Sequence, residues 1–463
     1  MPLTSEYKNG PVLLVSTPIA YTFPNSYAYL TAYLKDKNED VRMVFRDVGH
    51  AELVRKIMAA NPVLVGFGNL YPELKEIGQI ISMLNGAGRK FPIVVGGQMV
   101  SPTPEFSVGV TGADYGVVGE GEIILHNLVT SLRTGQDATT LKGLVVNDGG
   151  NVVFNGPGPY IDDLSTLPPV PYDLFPEKEW LNIGDWYAKH YPHQILWRAG
   201  DKVINVHGGR GCPFKCNFCY HHSKPRYRPI SIMMEEADNA LERFDGTMLY
   251  FSDDLVLSSP KRAEKLIEGI RTLGRKIEFS ISSRFDILAR MDDALVSEMN
   301  DVGCRIMGLG AESGSDRILN IIGKKCTGDD IFEGIEKLTR NNILPTVTFQ
   351  LGQHTETEED AEASIDLMRR CVNVNPQMQF NFTITTPFPG SPLYDLLFQE
   401  GKLKNHREFY DKYFSNSGVG VWDQIANMSA MSDAMVKSKY DKIWAVYRSE
   451  KSRILNRPIS QIC

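Results

Sequence analysis

Gly208-Gly209-Arg210-Gly211-Cys212-Pro213-Phe214-Lys215-Cys216-Asn217-Phe218-Cys219-Tyr220 is the stretch on which the reading of this chain turns. It holds three of the chain's seven cysteines, four and then three positions apart. The glycines ahead of Cys212 and the proline behind it favour a loop over a helix, and a loop lets three thiolates wrap one small inorganic cluster. Three thiolates are one short of the usual Cys₄ set of a [4Fe–4S] cluster, which leaves one iron open to a substrate or cofactor. Phe218 and Tyr220 would limit the access of water, one lever on a cluster's potential. Zinc is the competing reading, because His207, His221 and His222 are close by and Cys₃His is a structural zinc set. Zinc ligands, however, usually arrive as pairs on two separated knuckles, whereas here all three thiols share one loop.

The loop follows the first of six β-rich runs: Val203–His207, Met248–Ser252, Glu278–Ser282, Arg305–Leu309, Thr346–Leu351 and Gln379–Thr385. Helical patterns fill the intervals, as repeated βα units require. Six units are too few for a closed eight-unit barrel, so residues 195–400 read as a partial (β/α)₆ barrel. Barrels of this kind place their chemistry at the carboxyl ends of the strands, where the cysteine loop lies.

Upstream, Val12–Ser16, Val41–Arg46, Val63–Phe67, Ile93–Val95 and Tyr115–Val118 alternate with helical stretches such as Ser26–Lys35, Ala51–Ala60, Glu73–Ala87 and Glu122–Leu132. Continuous apolar strands separated by helices read as a doubly wound, Rossmann-like α/β domain over residues 1–155. Such sheets bind ligands at their carboxyl ends. The loops there are Ser16-Thr17-Pro18, Gly68-Asn69-Leu70-Tyr71-Pro72, Gly96-Gly97-Gln98 and Gly119-Glu120-Gly121-Glu122. A hairpin is expected at Asn147-Asp148-Gly149-Gly150, and residues 156–194 read as a proline-rich, extended linker. Residues 401–463 read as a mainly helical C-terminal extension with a helix over Asp433–Ser449. Its aromatics, Tyr410, Tyr413, Phe414, Trp422, Trp444 and Tyr447, could wall a pocket, although packing is their default role.

Composition narrows the classes. Forty-nine Lys and Arg against 56 Asp and Glu give a formal charge of −7, which argues against a nucleic-acid partner. No apolar run is long enough for a membrane span. Met1–Gly10 lacks the basic-then-apolar layout of a signal, so the expected address is the cytoplasm. Sparse, odd cysteines do not form a disulfide framework. Cys304, Cys326, Cys371 and Cys463 read as ordinary thiols of a reducing compartment, and an oxygen-sensitive cluster suggests an anaerobic setting.

Cys212, Cys216 and Cys219 match CxxxCxxC after a first barrel strand, and with it the chain resembles the radical S-adenosylmethionine (SAM) enzymes. The first domain is similar to the cobalamin-binding module that precedes this barrel in one large subclass. The stretches that carry this likeness are Val94-Val95-Gly96-Gly97-Gln98 to Glu105, Val118-Gly119-Glu120-Gly121-Glu122 and the proline-rich segment. The resemblance implies that the three thiolates hold a [4Fe–4S] cluster and that SAM chelates the fourth iron. It places Phe218, Tyr220, Ser252, Asp253, Arg284, Glu312 and Ser313 at SAM. For Glu312 a carboxylate on a helix dipole is the bland alternative, and for Asp253 and Asp254 a helix N-cap. Gln353 and His354 depart from the family's turn after the fifth strand; they read as solvated turn residues.

For cobalamin the resemblance implies contacts from Ser16, Thr17, Asn69, Leu70, Tyr71, Gly96, Gly97, Gln98, Gly119, Glu120 and Gly121. The chain has no Asp-x-His-x-x-Gly motif; Asp47-Val48-Gly49-His50 is its nearest approach. The cofactor is therefore expected base-off, without a histidine ligand, its lower face towards Asn69-Leu70-Tyr71. The implied activity is methylation of an unactivated carbon in a small molecule or a peptide or protein side chain. SAM is used twice, to methylate cob(I)alamin and to form a 5′-deoxyadenosyl radical, with an external electron donor and no catalytic residue beyond the cofactors. Alternatives are a rearrangement, cyclisation or oxidation by the same cofactors, or a non-enzymatic cobalamin or redox sensor. A methylthiotransferase would need cysteines in the first domain, and all seven lie at or beyond position 212.

Overall fold

The computed structural model describes residues 5–16, 23–68, 70–190, 197–220, 223–413, 426–459 and 462. Thr17, Asn69, His221, His222, Phe414, Trp422 and Cys463 lie outside the described residues. The chain divides into two compact units: residues 1–180 with 398–421, and residues 181–397 with 422–463.

The first unit is built on a seven-stranded sheet of order β2-β1-β3-β4-β5-β6-β7. Its strands are β1 (Val12–Ser16), β2 (Val41–Phe45), β3 (Leu64–Gly68), β4 (Ile93–Gly96), β5 (Tyr115–Val117), β6 (Leu144–Asp148) and β7 (Asn151–Phe154). The first five pair in parallel, with helices between them, and β6 and β7 add an antiparallel hairpin. Gly149 and Gly150 turn that hairpin with positive φ, as the Asn-Asp-Gly-Gly run requires. β1 is buried along its whole length, the pattern of a central parallel strand.

Two features of the packing add to these expectations. Within the proline-rich segment, Ile161, Leu164 and Leu167 pack on Tyr29. Tyr172, Phe175 and Trp180 surround Phe23 with ring centroids 4.9–5.3 Å apart. The prolines confine the helical pieces over residues 157–176 to the single turns Leu164–Thr166 and Tyr172–Leu174, and the apolar residues between them still gain by burial. The helical C-terminal region is shared between the two units. The helix His406–Tyr413 belongs to the first unit, with Phe409 against Tyr71 and Tyr410 edge-on to Phe106.

The second unit carries six parallel strands whose spatial order follows the chain. They are β8 (Val203–Val206), β11 (Met248–Phe251), β12 (Glu278–Ser283), β13 (Cys304–Glu312), β14 (Leu344–Leu351) and β15 (Gln379–Ile384). A short ribbon of β9 (Gly209–Arg210) and β10 (Arg226–Tyr227) brackets the cysteine loop after β8. Sequential order is what short right-handed βα crossovers produce. β14 alternates half-buried Thr346, Thr348 and Gln350 with buried Val347, Phe349 and Leu351. The helix Asp433–Leu455 packs on β15: Trp444 meets Phe382 edge-on at 4.9 Å, and Tyr447 meets Phe380 at 5.5 Å. Packing is thus the role of Trp444 and Tyr447. Among the described residues no helix is long and apolar enough to cross a membrane.

Candidate active site and cofactor loops

The cysteine loop is held from several sides. Asp253, just past β11, accepts the Gly208 N–H at 2.7 Å and so anchors the loop's entry. Burial, only partly offset by the Gly208 and Gly209 N–H donors, raises its carboxyl to about 7. Asp254 accepts the Gly211 N–H at 3.1 Å. Gly211 itself has φ of 73°, and a Cβ there would meet the Ser223 carbonyl oxygen at 2.4 Å. Asn217 donates its backbone N–H to the Ile322 carbonyl at 3.2 Å and accepts from Leu393 N–H at 2.8 Å. The loop is therefore fastened to the segments after β13 and β15.

Cys216 is buried, and Cys212 and Cys219 are progressively more open. Burial raises Cys212, and it pushes Cys219 up to about 11 with help from Cys216, Asp254 and Cys212. The three thiols are thus near enough to oppose one another's ionisation, and metal binding would displace their protons. Among the described residues no three His, Cys, Asp or Glu side chains stand together as a single metal ion would need. A four-iron cube spaces its thiolates more widely than one zinc ion does. The donor set fits the cluster, which Cys212, Cys216 and Cys219 would hold.

Two buried cations lie against this loop. Arg284, just past β12, donates from Nη1 to Cys216 Sγ at 3.2 Å, from Nε to Asp286 at 2.7 Å and from Nη2 to the Lys324 carbonyl at 2.7 Å. Its guanidinium lies 3.7 Å from the Phe214 ring centroid. Lys324 Nζ pairs with Glu312 at 2.9 Å, donates to the Gly310 carbonyl at 3.0 Å and stands 5.8 Å from the Phe218 ring. Sequence reasoning missed Lys324 and Phe214, because nothing near Lys324 in the chain signals a carboxylate partner twelve residues upstream.

Glu312 ends β13 at a register shift, with φ of 68°. That conformation is costly for a non-glycine residue and recurs at ligand sites. One of its oxygens meets Lys324; the other, Oε2, is buried with no partner, an acceptor that a bound hydroxyl or ammonium could satisfy. The Ser313 hydroxyl accepts the Ser315 N–H at 3.1 Å and lies 3.3 Å from Ser364 Oγ, so it braces the loop. Ser252 Oγ donates to the Val206 carbonyl at 3.4 Å. Phe218 and Tyr220 are half-buried. Gln353, expected to be solvated, is fully buried instead: its Nε2 reaches Gln350 at 3.3 Å and its Oε1 has no partner. The buried Glu356 draws the turn inward by accepting the Gly352 and Gln353 N–H groups at 2.5 and 3.3 Å.

In the first unit the strand-end loops are open where glycine keeps them so. Gly97 and Gly119 have φ of 76° and 85°, and a Cβ on Gly121 would meet Leu30 at 2.9 Å. Ser16 Oγ, at the end of β1, is buried and unpartnered. Gln98 is exposed, and Glu120 accepts the Ile161 N–H at 3.2 Å. The Tyr27 hydroxyl donates to the Val15 carbonyl at 2.7 Å and accepts the Gly68 N–H at 2.7 Å, tying β1 to β3 at their carboxyl ends. Beyond β3, Leu70 is 52% exposed while Tyr71 is buried. Buried Arg46 pairs with Glu73 and, at 2.8 Å, with Glu76, fastening the helix that follows this loop. His50, the nearest histidine to a cobalt-ligand pattern, pairs with Glu76 at 3.0 Å. An orphaned hydroxyl and glycine-lined strand ends fit cobalamin.

Two family models match these two regions: the B12 binding domain over residues 12–129 and the Radical SAM superfamily over residues 206–368. An uncharacterized methyltransferase of Pyrococcus horikoshii is 26% identical over 380 residues, covering 80% of this chain and 78% of that protein. The anaerobic magnesium-protoporphyrin IX monomethyl ester cyclase of Cereibacter sphaeroides is 26% identical over 375 residues, covering 79% of this chain but 57% of its own. In fold the chain is similar to the radical SAM methyltransferase TsrM of Kitasatospora setae, whose structure holds cobalamin and a [4Fe–4S] cluster. That likeness has a TM-score of 0.71 at 17% identity and covers 95% of this chain and 89% of that one. With a B12 binding domain followed by a radical SAM domain, the chain belongs to the methyltransferase-like family of cobalamin-dependent radical SAM enzymes, which work with a [4Fe–4S] cluster, SAM and cobalamin.

Proposed function

We propose that this protein methylates an unactivated carbon of a small molecule or of a peptide or protein side chain. When bound, the cluster supplies the electron that cleaves SAM, and cobalamin supplies the methyl carrier. The observation that carries methylation is the absence of a histidine from the loop expected below cobalt: Leu70 is exposed, Tyr71 is buried, and His50, the nearest approach to a cobalt-ligand motif in the chain, is engaged by Glu76. A cobalt without a histidine below it favours methyl transfer. The methyltransferase name of the Pyrococcus horikoshii relative supports the same reading.

In this reading Cys212, Cys216 and Cys219 hold the cluster, and Glu312 Oε2 accepts a hydrogen bond from SAM, with Phe218, Tyr220, Ser252 and Ser313 around it. Asp253 acts through the loop it anchors. Ser16 and the glycines at 96, 97, 119 and 121 leave room for cobalamin's tail. The carbon–hydrogen step needs no tuned general base; the protein orients the reactants and excludes water.

A second reading has one specific observation behind it, the cyclase among the relatives. Anaerobic reconstitution with cobalamin, SAM and a host extract separates the two. Methylation gives S-adenosylhomocysteine together with 5′-deoxyadenosine and a product heavier by one CH₂; ring closure gives 5′-deoxyadenosine without S-adenosylhomocysteine.

A further inference from the structure

Cys216 is the middle and most buried of the three thiols, and the Arg284 side chain touches its sulfur. The guanidinium is itself buried and is oriented on three sides: Asp286 on Nε at 2.7 Å, the Lys324 carbonyl on Nη2 at 2.7 Å, and the Phe214 ring 3.7 Å away. So held, it aims an Nη1 N–H at Cys216 Sγ, 3.2 Å away. The rings two residues to either side of Cys216 each carry a buried cation, Arg284 over Phe214 and Lys324 over Phe218. Once Cys216 is a thiolate ligand, this contact is a charge-assisted hydrogen bond in a site of low dielectric.

We infer that Arg284 tunes the reduction potential of the cluster through its hydrogen bond to Cys216 Sγ. Reduction adds one electron, from an external reductant, to the [4Fe–4S]²⁺ cluster and gives [4Fe–4S]⁺. The added negative charge spreads onto the thiolate sulfurs. A donor and positive charge fixed at one of those sulfurs stabilise the reduced form more than the oxidised form, and so raise the potential. Arg284 thereby makes the cluster easier for a donor to reduce. The family resemblance puts this arginine at SAM; its geometry here commits each of its nitrogens to a protein partner, one of them the sulfur. Lys324 contributes less, because its ammonium is spent on Glu312 and Gly310.

The inference rests on the cluster and not on methyl transfer, so the two can fail separately. The test is an EPR-monitored redox titration, with titanium(III) citrate as reductant, of the full chain carrying its cluster: wild type, Arg284→Lys and Arg284→Gln. Iron and sulfide content confirms the loading of each. The expected result is a lower midpoint for Arg284→Gln, a smaller drop for Arg284→Lys, and a SAM-induced change in the reduced EPR signal kept in both. An unchanged midpoint in fully loaded Arg284→Gln overturns the inference, and loss of the SAM-induced change without a midpoint shift makes Arg284 a SAM contact instead. Should Arg284→Gln hold no iron, Arg284→Lys decides alone: a lowered midpoint supports the inference and an unchanged one overturns it.

Discussion

Glu312 and Lys324 show what single residues contribute here. Both are buried, and they neutralise each other at 2.9 Å. Removing one partner of such a pair leaves a charge without compensation, so Lys324→Ala should cost about 3–5 kcal/mol. Adding Glu312→Gln should return much of it, which denaturant melts of the four variants in a double-mutant cycle would measure. The thiols divide cleanly. Cys212→Ala, Cys216→Ala and Cys219→Ala should each abolish 5′-deoxyadenosine formation and lower bound iron. Cys304→Ala, at a thiol buried in β13, should leave both intact. Glu356 adds a pH dependence. Burial raises its carboxyl to about 7, above its unfolded value, so the folded state holds the extra proton between roughly pH 4.5 and 7. Its contribution is fully present below that window and is lost as pH rises through it. The melting temperature of the unloaded chain should fall between pH 5 and 7.5, and Glu356→Gln should flatten that fall.

At the scale of elements, the cysteine loop depends on backbone shape as much as on its thiols. Gly211→Ala would demand a positive φ from alanine and drive its methyl into the Ser223 carbonyl. Iron incorporation should drop several-fold while the far-ultraviolet spectrum stays that of the wild type. The terminal helix Asp433–Leu455 packs on β15 through Tyr447, which is fully buried on Phe380 and Phe382. Tyr447→Ala should cost about 3–5 kcal/mol, measurable as a lower urea midpoint. The strands themselves were legible in the sequence because each is a short apolar run bounded by turn residues. β13 and the ribbon of β9 and β10 were exceptions. β13 extends through Gly310 and Ala311 to Glu312, where its apolar pattern breaks because Glu312 is paired by a lysine that only folding delivers. β9 and β10 are two-residue strands that pair only once the cysteine loop is folded.

At the scale of the whole molecule, residues 398–413 join the first unit although they follow the last barrel strand. Phe409, fully buried, packs on Tyr71 beside the loop proposed to face cobalt. Phe409→Ala should therefore weaken cobalamin binding several-fold, as titration of the chain with hydroxocobalamin would register, with iron loading unchanged. The sequence by itself determined the cysteine loop, the parallel strands of the two sheets and their order along the chain. Thiol spacing, apolar periodicity and short βα crossovers are local properties that tertiary context does not revise. Only the tertiary structure decided that Ile161, Leu164 and Leu167 of the proline-rich segment pack on Tyr29, that 398–413 belongs with residues 1–180, and that Arg284 meets Cys216 across 68 positions of chain. Those outcomes depend on which distant surfaces gain most by mutual burial, a sum over the folded molecule that no single stretch encodes.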